Sequence, residues 1–387
     1  MVRCFLAALL LVCPAVRVAG DRPDFLIGYT VQRTNLPGGQ HPNGVTSRAF
    51  VVKADGTGAR ELGAELAKKP NYSTSFAGWS PDGRQAVLLQ GWESPENGEW
   101  EHKHKTFRFT AEHWLLDIVL CDIETGQLTN LTAVERVSFY NAGLQFFPKT
   151  NRLAFLALIG GEQKPYAMDM DGKNKKPLAE GPGYIYGFVA SPDGKRIAYH
   201  KNYQVYVADA DGKNATPVKN GHPFQFCPSW SPAGQWLTFL SGEHYNCHPH
   251  VVRADGTGLK KLADRGGYKG TVEGLDEPDF HSANSDIPTW SPDGKWIYYT
   301  AKVGKSVELM RVNLDGKTEQ LTHSKGAVLH YFPQVSPDSR WVAYGSNKTG
   351  VRQLYVAKAD GTEEQAITNV EAGWRAFHPH WPPKSLE

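Results

Sequence analysis

Cysteine is scarce, charge is sparse and long apolar runs are almost absent. Of 387 residues, 5 are cysteine: Cys4, Cys13, Cys121, Cys227 and Cys247. They form no Cys-x-x-Cys pair, which excludes a thiolate zinc site and a dense disulfide framework. Charged side chains make up 21% of the chain, which is not the composition of a coiled coil or a disordered chain. A mean hydropathy of -0.45 and one long apolar stretch exclude a multi-span helical membrane protein. Catalytic signatures are missing too: there is no HExxH, no P-loop, no GxGxxG in a suitable context and no nucleophile elbow.

The one apolar stretch opens the chain. Arg3 precedes the run from Cys4 to Val12, and small residues follow at Ala15, Ala19 and Gly20. Residues 1–20 read as a secretory signal peptide, so the expected location is periplasmic or secreted. The formal net charge is +2, and residues 1–20 carry Arg3 and Arg17 with no acidic residue, so the remainder is formally neutral. General nucleic-acid binding needs a basic surface and is not expected. No transmembrane segment is expected, and the chain reads as a monomer.

Glycine (39), proline (25), tryptophan (11) and tyrosine (16) are plentiful, which suits short strands joined by tight turns. Two turn signatures alternate. Ser-Pro-Asp-Gly occurs at Ser80–Gly83, Ser191–Gly194 and Ser291–Gly294, with variants at Ser231, Ser336 and Phe147. Asp-Gly occurs at Asp55, Asp171, Asp211, Asp255, Asp315 and Asp360, and Glu124-Thr125-Gly126 fills the remaining slot. Proline presets φ, aspartate bonds the local backbone and glycine supplies positive φ. β-rich segments lie between, so each unit reads as four antiparallel strands, a propeller blade. The Asp55 turn lacks a preceding proline turn, and Pro379-His380-Trp381-Pro382 lacks a following Asp-Gly turn. The C-terminal strand is therefore expected to complete the first blade. The fold class is all-β: one seven-bladed propeller over residues 21–387, closed by pairing the N- and C-terminal strands.

This alternation predicts two unlike faces. The uniform turns join strands A–B and C–D on one face. The irregular B–C and D–A connections lie on the other, where function is expected. All fourteen histidines are expected near that second face. Three groups are expected to converge at that mouth, His330 with His378, the His244–His250 loop and His281, and imidazoles from several blades could hold one Mn²⁺ or Zn²⁺. Strand alternation predicts that His250 and His380 point away from whatever His248 and His378 face. In the insertion near residues 91–113, Trp92, Trp100, His102, His104 and Arg108 interleave rings with cations. With Tyr245 and Tyr268 they are candidate ligand-binding residues for an acidic sugar, whose carboxylate would meet the cations while its ring stacks.

These repeats resemble the TolB-like (PD40, WD40-like) β-propeller family across nearly the whole chain after residue 20. The resemblance implies a propeller that binds an acidic oligosaccharide or a protein partner, without catalysis as a requirement. Oligogalacturonate lyases are similar propellers with a His-rich, Mn²⁺-bearing axial site, and His378-Pro379-His380-Trp381-Pro382 resembles their His-Pro-His segment. That likeness implies β-elimination on an acidic polysaccharide as an alternative. It gives His244 or His248 as base, Arg375 as carboxylate partner and His281, His330 and His378 as metal ligands.

Overall fold

Each Ser-Pro-Asp-Gly segment closes through its own side chains. In the computed structural model, the Ser80 hydroxyl donates to Asp82 Oδ1 (2.6 Å) and accepts the Gln85 N–H (3.0 Å). Ser291 repeats this with Asp293 (2.6 Å) and the Trp296 N–H (3.0 Å). The glycine that ends the turn sits at φ 69° in Gly83 and 72° in Gly294, where other residues are strained. Ser231 faces Ala233 and keeps only the backbone half of the arrangement, from the Trp236 N–H (3.0 Å).

The structure describes residues 24–36, 44–104, 108, 110, 112–132, 144–148, 150–159, 162–178, 185–219, 221–243, 246–268 and 287–383. The proposed signal segment, His41, His244, Tyr245 and His281 lie outside them. The described strands form seven four-stranded antiparallel sheets. Blade one takes strand A from Trp374–His380 and strands B, C and D from Leu26–Arg33, Arg48–Lys53 and Arg60–Glu61. Arg33 pairs Trp374 and Val31 pairs Ala376, so the two ends of the chain close the ring as expected. Closure leaves no free inner edge between first and last blades. The fold is a seven-bladed β-propeller.

The core lies between blades. One cluster joins Val87, Leu116 and Ile118 of blade two to Leu153 and Phe155 of blade three. Another joins Ile27 and Val52 of blade one to Trp341 and Leu354 of blade seven. Both faces of a sheet are therefore covered, and strand Trp341–Ser346 is buried along its whole length.

One backbone group recurs on strand C in every blade, beside the end of strand D. Its C=O accepts the first N–H after strand D: Ala49 from Leu62, Ile118 from Leu131, Pro165 from Leu178, Val205 from Val218, Pro249 from Leu262, Leu309 from Leu321 and Leu354 from Ile367. The N–H of that same residue has no strand partner and must be answered otherwise. Ile118, Leu309 and Leu354 donate it to Thr132, Thr322 and Thr368 Oγ1 (3.0, 2.9 and 2.9 Å). Ala49 donates to Thr74 Oγ1 (3.1 Å) and Val205 to Gln225 Oε1 (2.7 Å). The remaining two blades place Pro165 and Pro249 there, which have no N–H to satisfy.

Strand A is bulged in five blades. Cys227, Phe332 and His378 carry the bend at φ 46°, 51° and 52°, conformations that cost energy without glycine.

The shared tether gives a test. Thr368→Val strands a buried N–H and should cost about 1–3 kcal/mol in chemical denaturation. Ala263→Thr, at the corresponding place in a blade with Pro249, should gain nothing.

Candidate functional site

The B–C connection of blade two is the most elaborate one described. Strand B ends at Glu93, and a ten-residue helix, α1, spans Pro95–His104. Ser94 caps it, accepting the Asn97 N–H on its hydroxyl (3.2 Å), while Pro95 opens the first turn. The Ser94 hydroxyl also meets His113 Nδ1 (2.8 Å), tying the helix start to the return strand.

The inner side of α1 is polar and buried. Asn97 and Glu101 are 0% exposed and Glu93 is 1% exposed. The Asn97 amide donates to Glu93 Oε1 (2.8 Å) and Glu101 Oε1 (3.1 Å). The Arg108 N–H donates to Glu101 Oε1 (2.8 Å), and its guanidinium donates to Asn97 Oδ1 (2.6 Å). Burial, then the neighbouring carboxyl, pushes Glu93 up to about 8. Burial pushes Glu101 up to about 7.

The outer side is a layered stack. Arg108 lies 4.7 Å from the Trp100 ring centre, and His104 stacks on the same ring at 4.1 Å. Trp100 and Arg108 are half-buried, while Lys103 and His104 are exposed. The structure thus brings together Trp100, His104 and Arg108 of the expected ligand-binding set. Trp92 is half-buried in strand B, paired with Tyr72 and Leu115. His102 is half-buried on the helix.

A second cluster lies after strand D of blade five. His248 Nδ1 accepts the Arg265 N–H (3.2 Å) and Nε2 faces Asp264 at 3.6 Å. Arg265 is 1% exposed, donates to the Thr300 carbonyl (2.9 Å) and lies over the Tyr268 ring at 4.7 Å. His248 and Tyr268 therefore share one buried corner. Burial pushes His248 down to about 4, so its ring is neutral near pH 7. Its one lone pair is engaged by the Arg265 N–H.

A third cluster bridges blades six and seven. Ser324 Oγ lies 2.9 Å from His330 Nε2 and donates to Glu308 Oε2 (3.2 Å). Glu308 also accepts from the Ser324 N–H (2.9 Å) and lies 3.5 Å from His330 Nε2. Serine and glutamate meet the same ring nitrogen, so the carboxylate does not orient the far side of the imidazole as a relay requires. Burial lowers His330 to about 4.

Near the ring closure, Arg375 is buried, bonded through its guanidinium to Gln32 Oε1 and set over the Phe377 ring at 4.7 Å. His378 packs on Phe332 at 4.1 Å between ring centres. Two expectations need correction. The bulge at His378 breaks the strand alternation, so His378 and His380 are not simple opposites. His380 also lines a 360 Å³ cavity with Pro292, Pro337 and Trp381, near the A–B turns, so it does not belong to the irregular face.

Among the described residues, no three His, Cys, Asp or Glu side chains gather as metal ligands do. His330 meets Ser324 and Glu308 through Nε2 and His378 packs on aromatic rings, while His281, the third expected ligand, lies outside the described residues. Cys121, Cys227 and Cys247 are buried and not joined in disulfides. The sequence reading missed Glu93, Asn97 and Glu101. The cap Ser94-Pro95 was the available signal for an ordered helix there.

Comparison with known proteins agrees with the propeller fold. Residues 199–385 match the family described as TolB beta propeller domain, PD40. TolB from Acinetobacter baumannii is similar at 15% identity, TM-score 0.53, over 94% of this chain and 68% of that one. A puromycin-hydrolyzing peptidase from Mycobacterium tuberculosis is similar at 14% identity and TM-score 0.53, over 76% of this chain and 46% of that one. An oligogalacturonate lyase in complex with manganese has 16% identity and TM-score 0.47, over 69% and 74%, too distant to argue chemistry.

Burying His248 and His330 as neutral rings gives a pH test. The unfolded chain takes up protons on these rings below the ordinary histidine value of 6.5, whereas the folded chain resists until about 4. Stability should therefore fall as pH drops through that window. His330→Gln should flatten the fall in urea midpoint, whatever its cost at neutral pH. The chain is a seven-bladed β-propeller, and its residues 199–385 match the TolB beta propeller domain, PD40.

Proposed function

We propose that this propeller is a binding protein that takes an acidic carbohydrate on the face of its B–C and D–A connections. The observation that carries this is the Arg108–Trp100–His104 stack, raised on a capped helix and anchored from beneath by buried carboxyls. The exposed His104 ring, backed by the Trp100 indole, offers a flat aromatic surface to a pyranose ring. The exposed Lys103 and His104, with Arg108, supply donors for a carboxylate. Placement on a connection above a rigid ring of blades is where propellers carry recognition.

The expected test is binding of polygalacturonate, followed by calorimetry or affinity electrophoresis. Trp100→Ala should weaken binding about tenfold or more, since loss of a well-stacked ring costs about 1–3 kcal/mol. Unchanged affinity, or no binding by the wild type, contradicts the reading. The same incubation watched for an ultraviolet-absorbing unsaturated product separates binding from β-elimination.

Residues 1–20 act, in this proposal, as a cleaved secretory signal. Expression in a Gram-negative host should yield periplasmic protein whose N-terminal sequencing starts near Gly20 or Asp21. Cytoplasmic protein that retains Arg3 is the opposing result.

A further inference from the structure

We propose that Glu93 and Glu101 hold α1 onto blade two through one shared proton, and that loss of this proton releases the helix. Glu93 belongs to strand B and Glu101 to the helix. A contact between them therefore links the insertion to the scaffold.

The geometry requires a proton. Both side chains are buried, at 1% and 0% exposure, and the Asn97 amide nitrogen donates to an oxygen of each, at 2.8 and 3.1 Å. Neither Oε2 atom has a hydrogen-bond partner. Two carboxylates are acceptors only, so carboxyls gathered on one amide satisfy their remaining oxygens only with a hydrogen on one of them. Charge balance agrees. Among the described residues, Arg108 is the cation acting on both carboxyls, through its N–H to Glu101 and its guanidinium to the bridging Asn97. One cation balances one carboxylate, and the other must be neutral. Asn97 turns its amide hydrogens to both carboxyls, which suits oxygen acceptors and opposes a metal ion in the same space. His113, the remaining histidine of this connection on the strand side, is engaged by Ser94. Glu96 and Glu99 are exposed and Lys103 lies on the outer face.

The direction follows from burial. Both carboxyls are raised, Glu93 further than Glu101, so Glu93 keeps the proton. A raised folded-state value means that the docked helix is most stable at low pH. That stability declines above the ordinary carboxylate value of 4.5 and is lost as pH rises through about 7 to 8. Two buried anions against one cation then repel across the helix–sheet contact. Because Trp100 and His104 ride on α1, release would also dismantle the stack. That consequence alone rests on the proposed function.

Hydrogen exchange by mass spectrometry on the whole chain without ligand tests the latch separately from carbohydrate binding. Between pH 6 and pH 9, after correction for intrinsic exchange, protection of amides in α1 should fall about tenfold, equal to about 1.4 kcal/mol. Strand Trp341–Ser346 should show no such fall. Glu101→Gln supplies a permanent amide hydrogen in place of the shared proton and should remove the difference. Glu93→Gln should do the same, and it serves if the first variant folds poorly. Equal wild-type protection at the two pH values overturns the proposal, as does an unchanged fall in a folded Gln variant.

Discussion

One backbone N–H position on each strand C, beside the end of strand D, governs how the irregular face is built. It sits where strand D has already ended, so no ladder partner reaches it. Five blades answer with a threonine or glutamine oxygen, and two remove the donor with proline. An unanswered N–H in this position would cost as much as several surface interactions contribute. The tether pins each D–A connection beside strand C and fixes the polar residue one position earlier. Those residues are Arg48, Asp117, Lys164, Gln204, His248, Glu308 and Gln353.

That equivalence changes how two attractive clusters are weighed. The Glu308 carboxylate accepts from Thr322 as Asp117 accepts from Thr132 and Gln353 from Thr368. The same architecture recurs in blades with different chemistry, so it belongs first to the scaffold. Ser324 and His330 are additions to the blade-six version, and their shared nitrogen is poorly arranged for nucleophile activation. His248 takes the same place in blade five, where Pro249 has removed the donor and the ring accepts the Arg265 N–H instead. Among the described residues, the insertion in blade two has no counterpart of this kind. Its buried Glu93–Asn97–Glu101 group serves one helix that carries one exposed stack.

The ring of blades was legible because its signals are local. Ser-Pro-Asp-Gly needs only its own side chains and backbone to close, as Ser80 and Ser291 show. Ring closure followed from unmatched signatures at Asp55 and Pro379. The site was less legible because its determinants are tertiary. The segment Pro95–His104 is polar in composition and reads as a solvated loop. Only the folded sheet brings Glu93 beside Glu101, eight positions on. Alternation failed at His378 because a non-glycine residue took positive φ, a choice made by packing against Phe332 and Phe377. Arg375, expected to greet a carboxylate, donates to Gln32 across the ring closure.

The central claim is that recognition occurs on the blade-two helix, with the uniform turns as scaffold. Differential hydrogen exchange with and without polygalacturonate tests it most directly. The account predicts added protection in α1 and the strand ends beside it, with the turns at Ser191–Gly194, Ser291–Gly294 and Ser336–Ser339 unchanged. Protection centred on those turns, or none anywhere under saturating polymer, would contradict it.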